Sequence, residues 1–273
     1  MTSTTNRFSF GKNWSKFVSL VDDTRIATAE DSLRSMLDMT DLSGKTFIDI
    51  GSGSGLFSLA ARRLGAKVHS FDYDKDSVEC TLLLKQKYFE DDSDWTIEHG
   101  DVLNHNYMSG LGRFDIVYSW GVLHHTGAMW LAIENVLNLV CSKECKVNLA
   151  LYNDQGWKSH GWWLIKALYN ALPSGLRVSY AIVIGVAAKL FVLFKYTLLF
   201  RPMTVIRTWK NYKKNRGMSI FHDMIDWVGG FPFEFVGYDL FVRFMEAKGY
   251  KLLKGNKAGS LGCHEFSFHK TDT

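Results

Sequence analysis

The sequence has little of what usually separates or cross-links domains. It contains only 3 prolines and 4 cysteines in 273 residues. Scarce proline excludes Pro-rich linkers, and the cysteines form no CxxC pair or other framework that would indicate a disulfide scaffold. We therefore expect reduced thiols and a cytosolic protein. The first thirty residues contain no apolar run of the kind found in a secretory signal.

Acidic residues are missing from one long segment. Between residues 155 and 222 there is no Asp or Glu, whereas eleven Lys and Arg residues occur there. The rest of the chain holds the other 21 of the 32 basic residues and all 28 acidic ones. The formal net charge of +4 thus conceals a basic segment attached to an acidic body. The length favours one domain with an appendage.

Short apolar runs alternate with helical patterns from Lys45 to Val140, which predicts βαβ units on a parallel sheet. A fifth strand, CKVNLALYN, follows this block. Near the C-terminus, the helical YDLFVRFMEAKG precedes two closing strands, YKLLKGNK and GCHEFSFHK. Upstream of the block, TAEDSLRSMLDM predicts a leading helix with Thr28 as its N-cap. The resulting fold class is α/β, with helices on both faces of the sheet.

The segment FIDIGSGSG puts Gly51, Gly53 and Gly55 between the first strand and the first helix of this block. Glycine allows the backbone of such a turn to approach a ligand closely. Two acidic residues follow at later strand ends, Asp72 after the second strand and Asp101 after the third. All of these residues fall on the carboxyl edge of the sheet, where doubly wound folds bind ligands.

In order and spacing, the motifs DIGSGSG, FDYD, GDV and FDIVYSWGVLHHTG resemble those of the class I S-adenosylmethionine (SAM)-dependent methyltransferases. The resemblance covers the core, about half of the chain. It implies a Rossmann-like, seven-stranded, mostly parallel sheet whose last hairpin is antiparallel, and SAM as the cofactor. The expected domains are an N-terminal cover and SAM-binding core at 1–153, an insertion at 154–238, and a final helix and hairpin at 239–273.

The resemblance also implies a cofactor site. The glycine loop would lie against the methionyl part of SAM, Asp72 would hold the ribose, and Asp101 would meet the adenine amino group. In addition, the aromatic segment FSFGKNWSKF is expected to fold over this site, with Trp14 packing there. The full set of predicted cofactor residues is Trp14, Asp49, Gly51, Ser52, Gly53, Gly55, Asp72, Tyr73, Asp101, Val102, Trp120 and Gly121.

Methyl transfer from a sulfonium mainly requires in-line positioning, and a base helps when the acceptor is a hydroxyl or a protonated amine. His124 and His125 follow the fourth strand, and Tyr152 ends the fifth. We consider His124 a candidate base, His125 an orienting group and Tyr152 a candidate for either substrate or cofactor binding. In family members, a His at the second position often has a largely structural role.

Further substrate contacts are predicted from polar residues near the same edge. They are Tyr152, Asn153, Asp226 and Glu234. No group of Cys and His has the spacing of a zinc site, so no metal is expected. A nucleic-acid substrate is a weaker alternative, although RTWKNYKKNRG interleaves aromatic and basic residues.

The stretch from Arg177 to Arg201 is long and apolar enough to resemble a membrane span. A single span would put the first five strands and the closing hairpin on opposite sides of a bilayer, although one sheet needs both. Two interpretations stay open: a helical lid over the substrate, or an interfacial helix over residues 176–202 whose lysines reach the headgroups. Lys189 and Lys195 would mark its polar side.

The sequence thus predicts a cytoplasmic methyltransferase, peripheral to the inner face of a membrane if the second interpretation holds. Its substrate would be a small or amphipathic metabolite held under a lid at 154–238. One alternative is a SAM-consuming cyclase or lyase of the same fold. Another is a SAM-binding or membrane-recruited module without catalysis. The sequence leaves the acceptor atom and the oligomeric state open.

Overall fold

The computed structural model describes residues 21–141, 144–198, 203, 225 and 227–271, apart from the side chain of Lys195. Its seven strands are β1 Thr46–Ile50, β2 Lys67–Asp72, β3 Trp95–His99, β4 Ile116–Trp120, β5 Lys146–Tyr152, β6 Tyr250–Asn256 and β7 Cys263–Lys270. The described helices are α1 Asp23–Leu37, α2 Leu56–Arg63, α3 Lys75–Tyr88, α4 His105–Gly110, α5 Met129–Leu137, α6 Trp157–Ala171, α7 Ser174–Leu198 and α8 Tyr238–Ala247. A 3₁₀ turn, Leu123–His125, follows β4.

The strands form one sheet in the order β3-β2-β1-β4-β5-β7-β6. All neighbours are parallel except that β7 runs antiparallel to both β5 and β6. Two apolar clusters cover the sheet, one built around α1 and α2 and the other around α5 and α8. The predicted fold class, a seven-stranded, mostly parallel sheet with an antiparallel closing hairpin, is confirmed.

The strand order reverses between β1 and β4, because the chain first builds outward to β3 and then returns to the other side of β1. In open α/β sheets, such a reversal leaves a crevice beyond the carboxyl ends of the two central strands. The glycine loop after β1 and the segment after β4 flank this point. The topology therefore puts the predicted cofactor residues at the usual ligand position of the fold.

The leading helix α1 begins five residues earlier than its predicted cap. Its N-cap is Asp22, whose carboxylate accepts a hydrogen bond from the Arg25 backbone N–H at 2.9 Å and pairs with the Arg25 guanidinium at 2.8 Å. Thr28 lies within the helix, where its hydroxyl donates to the Thr24 carbonyl. The prediction that Thr28 is the cap was wrong because the apolar pattern of α1 extends upstream to Ile26, which is buried.

By its contacts, the chain divides into two compact units. The sheet and its helices belong to residues 9–159 and 233–273, while residues 160–232 belong to the other unit. In this second unit, Tyr169 of α6 and Ala181 of α7 form a small buried cluster with Val228. Arg177 fixes the connection between the two helices, because its guanidinium donates to the Leu172 and Asn170 carbonyls at the end of α6.

Replacing the cap residue tests the start of α1. We expect Asp22→Ala to lower the free energy of unfolding by about 1 kcal/mol, since an N-cap side chain contributes roughly 0.5 to 2 kcal/mol. Thr28→Ala is the matched control, and its effect should stay within about 0.5 kcal/mol because the hydroxyl is exposed. Urea unfolding followed by circular dichroism measures both. A larger loss for the threonine variant would restore Thr28 as the cap.

Candidate active site

The glycine loop joins β1 to α2 in a turn that residues with side chains rarely adopt. Gly51, Gly53 and Gly55 have φ angles of 77°, 56° and 78°, in the left-handed region that favours glycine. The loop is anchored to β2, because the backbone N–H groups of Gly51 and Ser52 both donate to the Phe71 carbonyl. At Gly55 the loop is also packed tightly, since a Cβ there would lie 2.9 Å from the Thr81 Cα.

Asp72, at the end of β2, closes the loop from the other side. One carboxylate oxygen accepts from the Gly53 N–H at 2.9 Å, and the other accepts from the Asp74 N–H at 2.8 Å. Burial raises the pKa of Asp72 to about 6, although these backbone hydrogen bonds act in the opposite direction. Because a carboxylate has about four lone-pair positions, both oxygens keep capacity for another donor.

Asp49 lies beneath the loop, on β1, and is almost fully buried. Its carboxylate accepts from the Ser58 hydroxyl at 2.5 Å, Ser58 accepts from Ser70, and Ser70 accepts from the Trp95 indole. Burial raises the pKa of Asp49 to about 7, against the opposing effect of the Ser58 hydrogen bond. This buried chain of donors connects β1, α2, β2 and β3 directly below the loop, so Asp49 supports the loop from inside the core.

The ends of the other strands supply two exposed aromatic side chains, Tyr73 after β2 and Trp120 at the end of β4, each 49% exposed. The His99 Nε2–H donates to the Tyr73 carbonyl at 2.9 Å. Asp101 turns the chain after β3, where its carboxylate accepts from the Leu103 N–H. The Val102 side chain is buried in the core, so only its backbone can meet a ligand.

His124, His125 and Tyr152 form an aromatic group at the ends of β4 and β5. The His124 ring centroid lies 3.9 Å from that of Tyr152 and 4.5 Å from that of His125. His124 is fully buried, and its Nδ1 accepts from the Tyr152 backbone N–H at 3.2 Å. A neutral His124 in this arrangement carries its proton on Nε2. Through this bond His124 holds the end of β5, and its predicted role as a base stays a prediction.

Two predicted substrate contacts, whose roles stay predictions, have hydrogen-bond partners within the protein. The Asn153 amide donates to the carbonyls of Ala258 and Ser260 in the β6–β7 turn. Both oxygens of Glu234 lie within 3.1 Å of the Met129 N–H at the start of α5, and burial raises the pKa of this carboxyl. These residues hold the closing hairpin and α5 in place. Trp14 and Asp226 lie outside the described residues, and their predicted roles stay predictions.

Cys141 and Cys145 lie next to each other after α5. Their sulfur atoms are in contact and their Cα atoms are 5.8 Å apart, within the range that a disulfide spans. The reduced state expected from the sequence stays a prediction. The Asp115 carboxylate lies close by, so the three side chains meet the spacing of a metal site. Asp115 also accepts hydrogen bonds from the backbone N–H and the hydroxyl of Thr46.

Sequence reasoning missed several residues that shape the site. Glu265, on β7, accepts from the Trp120 indole N–H at 3.1 Å and from the Asn256 amide at 3.2 Å. Ser58 and Ser70 connect Asp49 to the sheet. Each of these pairs depends on strand register between distant segments, and no local motif marks them. The alternation of buried residues along β2 and β7 is the one signal that puts Ser70 and Glu265 on definite faces.

Residues 48–143 match the family model of a methyltransferase domain. The matched range begins within β1 and ends after α5, so it contains the glycine loop, Asp72, Asp101 and the segment around His124 and His125. These residues, about a third of the chain, therefore form a methyltransferase-family domain. The resemblance inferred from the motifs is confirmed.

Parts of the chain are also similar in sequence to named methyltransferases. The chain is 38% identical to the ribosomal protein L11 methyltransferase of Prochlorococcus marinus over 84 residues, which are 30% of this chain and 24% of that protein. It is 48% identical to the enzyme of the same name from Anoxybacillus flavithermus over 48 residues, 17% and 15% of the two chains. The chain thus spans about a quarter or less of the length of these relatives.

Solved methyltransferase structures share the fold over a larger part of the chain. Magnesium protoporphyrin IX methyltransferase from Synechocystis PCC 6803, with bound S-adenosylhomocysteine (SAH), gives a TM-score of 0.53 at 14% identity and covers 90% of this chain and 83% of that one. The N-terminal domain of EvdMO1 with SAH and D-fucose gives 0.51 at 11% identity, with coverages of 92% and 85%. At this identity, the likeness establishes the fold alone.

Two glycines near the site offer a matched test of the tight loop. Gly55 and Gly121 both have positive φ, but a Cβ meets Thr81 at 2.8 Å at Gly55 and nothing within 4 Å at Gly121. We expect Gly121→Ala to cost roughly 1 to 2 kcal/mol through backbone strain alone. Gly55→Ala should cost roughly 2 to 5 kcal/mol because overpacking is added. Equal losses in chemical denaturation would contradict the tight packing at Gly55.

Proposed function

We propose that this protein is a SAM-dependent methyltransferase that transfers a methyl group to a small or amphipathic metabolite. The observation that carries the proposal is the convergence of the glycine loop, Asp72, Asp101 and Trp120 at the topological switch point of a methyltransferase-family sheet. These features come from four strand ends that the sheet order brings together. The family model matches residues 48–143 and the named relatives match shorter segments, so we infer the activity from the geometry of the site.

The chemistry of this edge fits SAM. Asp72 keeps acceptor capacity for two ribose hydroxyls, Tyr73 and Trp120 expose aromatic surface suited to the adenine ring, and the glycine turn allows close backbone approach. When bound, SAM supplies an electrophilic methyl group on a sulfonium whose thioether leaves without charge. Asp49 would act indirectly, by holding the loop from below through Ser58. The predicted covering role of Trp14 remains part of this proposal.

For the residues that would face the methyl acceptor, we propose positioning roles in preference to acid–base roles. His124 fixes the end of β5 through the Tyr152 backbone, and Tyr152 in turn packs against Phe233 with centroids 5.0 Å apart. A wall of this kind orients an acceptor atom in line with the methyl group, which is the main requirement of the reaction. Tyr152 is our candidate for direct substrate contact, while His125 flanks it at 5.4 Å.

The acceptor class rests on the insertion at 154–238, which we propose as the substrate-recognition element and lid. Its two described helices present Trp, Leu and Phe side chains rather than acidic groups, as expected for an apolar or amphipathic ligand. Structural neighbours include methyltransferases named for small molecules, such as magnesium protoporphyrin IX. We further propose a cytoplasmic protein that contacts the inner face of a membrane peripherally, and we regard a nucleic-acid substrate as less well supported.

Product analysis tests the reaction. The full chain is incubated with SAM and fractionated metabolite or lipid extracts, and the nucleoside products are separated by chromatography. We expect SAH that forms only with an acceptor-containing fraction, together with equimolar methylated product. Methylthioadenosine formed without an acceptor would instead indicate SAM-cleaving chemistry. Absence of both products, with SAM binding intact, would leave a non-catalytic SAM-binding module.

Asp72 gives a sharper test of the cofactor site. We expect Asp72→Ala to weaken SAM binding about 10- to 100-fold, because charged hydrogen bonds contribute roughly 1.5 to 3 kcal/mol. Since burial raises the pKa of Asp72 to about 6, wild-type affinity should fall as the pH drops through that value and the carboxylate is protonated. Asp72→Asn should remove this pH dependence. Calorimetry between pH 5 and 8, roughly one to two units on either side of this pKa, measures the SAM affinity and its pH dependence.

The control for this experiment is Asp74→Asn, which changes a neighbouring carboxylate that caps α3 through the Asp76 N–H. It should affect helix stability and keep a pH dependence of SAM binding, with its midpoint at lower pH because the Asp74 charge helps to raise the pKa of Asp72. Unchanged SAM affinity in Asp72→Ala would remove the ribose assignment and weaken the proposed site as a whole.

A further inference from the structure

Helix α7 exposes a continuous apolar stripe. Val183, Val186, Leu190 and Phe194 follow one another at intervals of three or four residues, so they lie on one side of the helix. Leu190 is 59% exposed and Phe194 63% exposed. Additional exposed apolar residues occur elsewhere around α7, namely Val178, Ile182, Phe191, Val192 and Leu198. We call Val183, Val186, Leu190 and Phe194 the α7 stripe.

The opposite side of α7 already has its packing partners. Ala181 is buried, and Tyr180 and Ile184 contact the cluster formed with α6 and Val228. The Tyr180 hydroxyl also donates to the Ile165 carbonyl of α6 at 3.2 Å. Only 11% of the most apolar stretch of α7 is buried. Among the described residues, α7 is therefore anchored by one side and leaves the α7 stripe uncovered, unlike the core helix of a soluble domain.

The charge of this part of the chain indicates what would cover the stripe. Residues 155–222 contain eleven Lys and Arg and no Asp or Glu. Such a segment attracts an anionic surface such as the headgroups of an anionic bilayer. A second copy of the chain would bring the same positive charge to the interface, which opposes self-association through this surface. Apolar exposure combined with uniform basic charge is characteristic of an interfacial membrane helix.

A transmembrane arrangement conflicts with the sheet. β1 to β5 precede α7, whereas β6 and β7 follow it, and all seven strands belong to one sheet. A single crossing would need a second one for the chain to return. The sequence between 199 and 232 contains several charged residues and no apolar run long enough to cross. In-plane binding is the arrangement that leaves the sheet intact.

We propose that α7 docks in the plane of an anionic lipid bilayer, with the α7 stripe inserted at the boundary between headgroups and acyl chains. The partly buried Lys189 lies to the side of the stripe, from where its ammonium group reaches the headgroup level. Leu164 and Leu168 of α6 add exposed apolar area one helical turn apart. This inference deepens the proposed function, because a bilayer is where an amphipathic acceptor resides, but the docking itself does not require catalysis.

Vesicle sedimentation of the full chain without SAM tests the proposal. The probes are vesicles of phosphatidylcholine alone and of phosphatidylcholine with phosphatidylglycerol, at low and high salt. We expect binding to the anionic vesicles that weakens with salt, and little binding to the neutral ones. The variant Leu190→Glu with Phe194→Glu should lose about tenfold or more in partitioning, since two inserted apolar side chains are replaced by anions.

The matched control is Leu83→Glu with Leu240→Glu, which places the same two charges at equally exposed positions of α3 and α8, 51% and 53% exposed. It should bind anionic vesicles like the wild type. Circular dichroism and SAM affinity verify that both variants are folded, and they separate this test from the proposed methyltransferase function. Failure to bind anionic vesicles, equal binding to neutral vesicles, or equal loss in both variants would overturn the proposal. So would a wild-type dimer that only the stripe variant dissociates and that does not bind vesicles.

Discussion

The pairing of β5 with β7 is the constraint on which most of this structure depends. Seven residue pairs join the strands antiparallel, from Lys146 with His269 to Tyr152 with Cys263. The two strands come from opposite sides of the long insertion, so the chain must leave the sheet and return to it. That return positions Glu265 across the small Ala150 from Trp120. The outer edge of the candidate site is therefore built by the last segment of the chain.

A second constraint is the burial of polar groups under the glycine loop. Ser70, Asp49 and Tyr118 are register partners on β2, β1 and β4, so they form a polar row across the sheet. Desolvation makes such a row costly unless its members bond to one another. The short Ser58–Asp49 hydrogen bond and the Trp95 donor satisfy part of it. Burial raises the pKa of Asp49, and the hydrogen bond from Ser58 holds its carboxylate beneath the glycine loop.

The sequence predicted the elements of the sheet well because their signals are local. Apolar runs of strand length, the glycine turn and the acidic residues at strand ends each depend on a few neighbouring residues. The hydrogen-bond partners of side chains at the site could not be predicted in this way. Asn153 and Glu234 were predicted as substrate contacts, which stay predictions, and their partners in the protein lie about a hundred residues away in sequence. Only the folded register reveals these partners. Likewise, Trp120 was predicted from its motif, whereas its partner Glu265 has no motif.

The insertion illustrates a different limit of sequence reasoning. The sequence itself shows that the insertion is apolar and lacks acidic residues. Because one sheet needs strands from both sides of the insertion, a single membrane span was also excluded. The choice between a lid and an interfacial helix, however, depends on which side of α7 is already packed. The contacts of Tyr180, Ala181 and Ile184 answer that question for one side only. The α7 stripe lies outside these contacts, so the proposed docking uses a part of the helix that they leave exposed. The residues that carry the proposed docking are also disjoint from those around the glycine loop, so the two activities are physically separable in this chain.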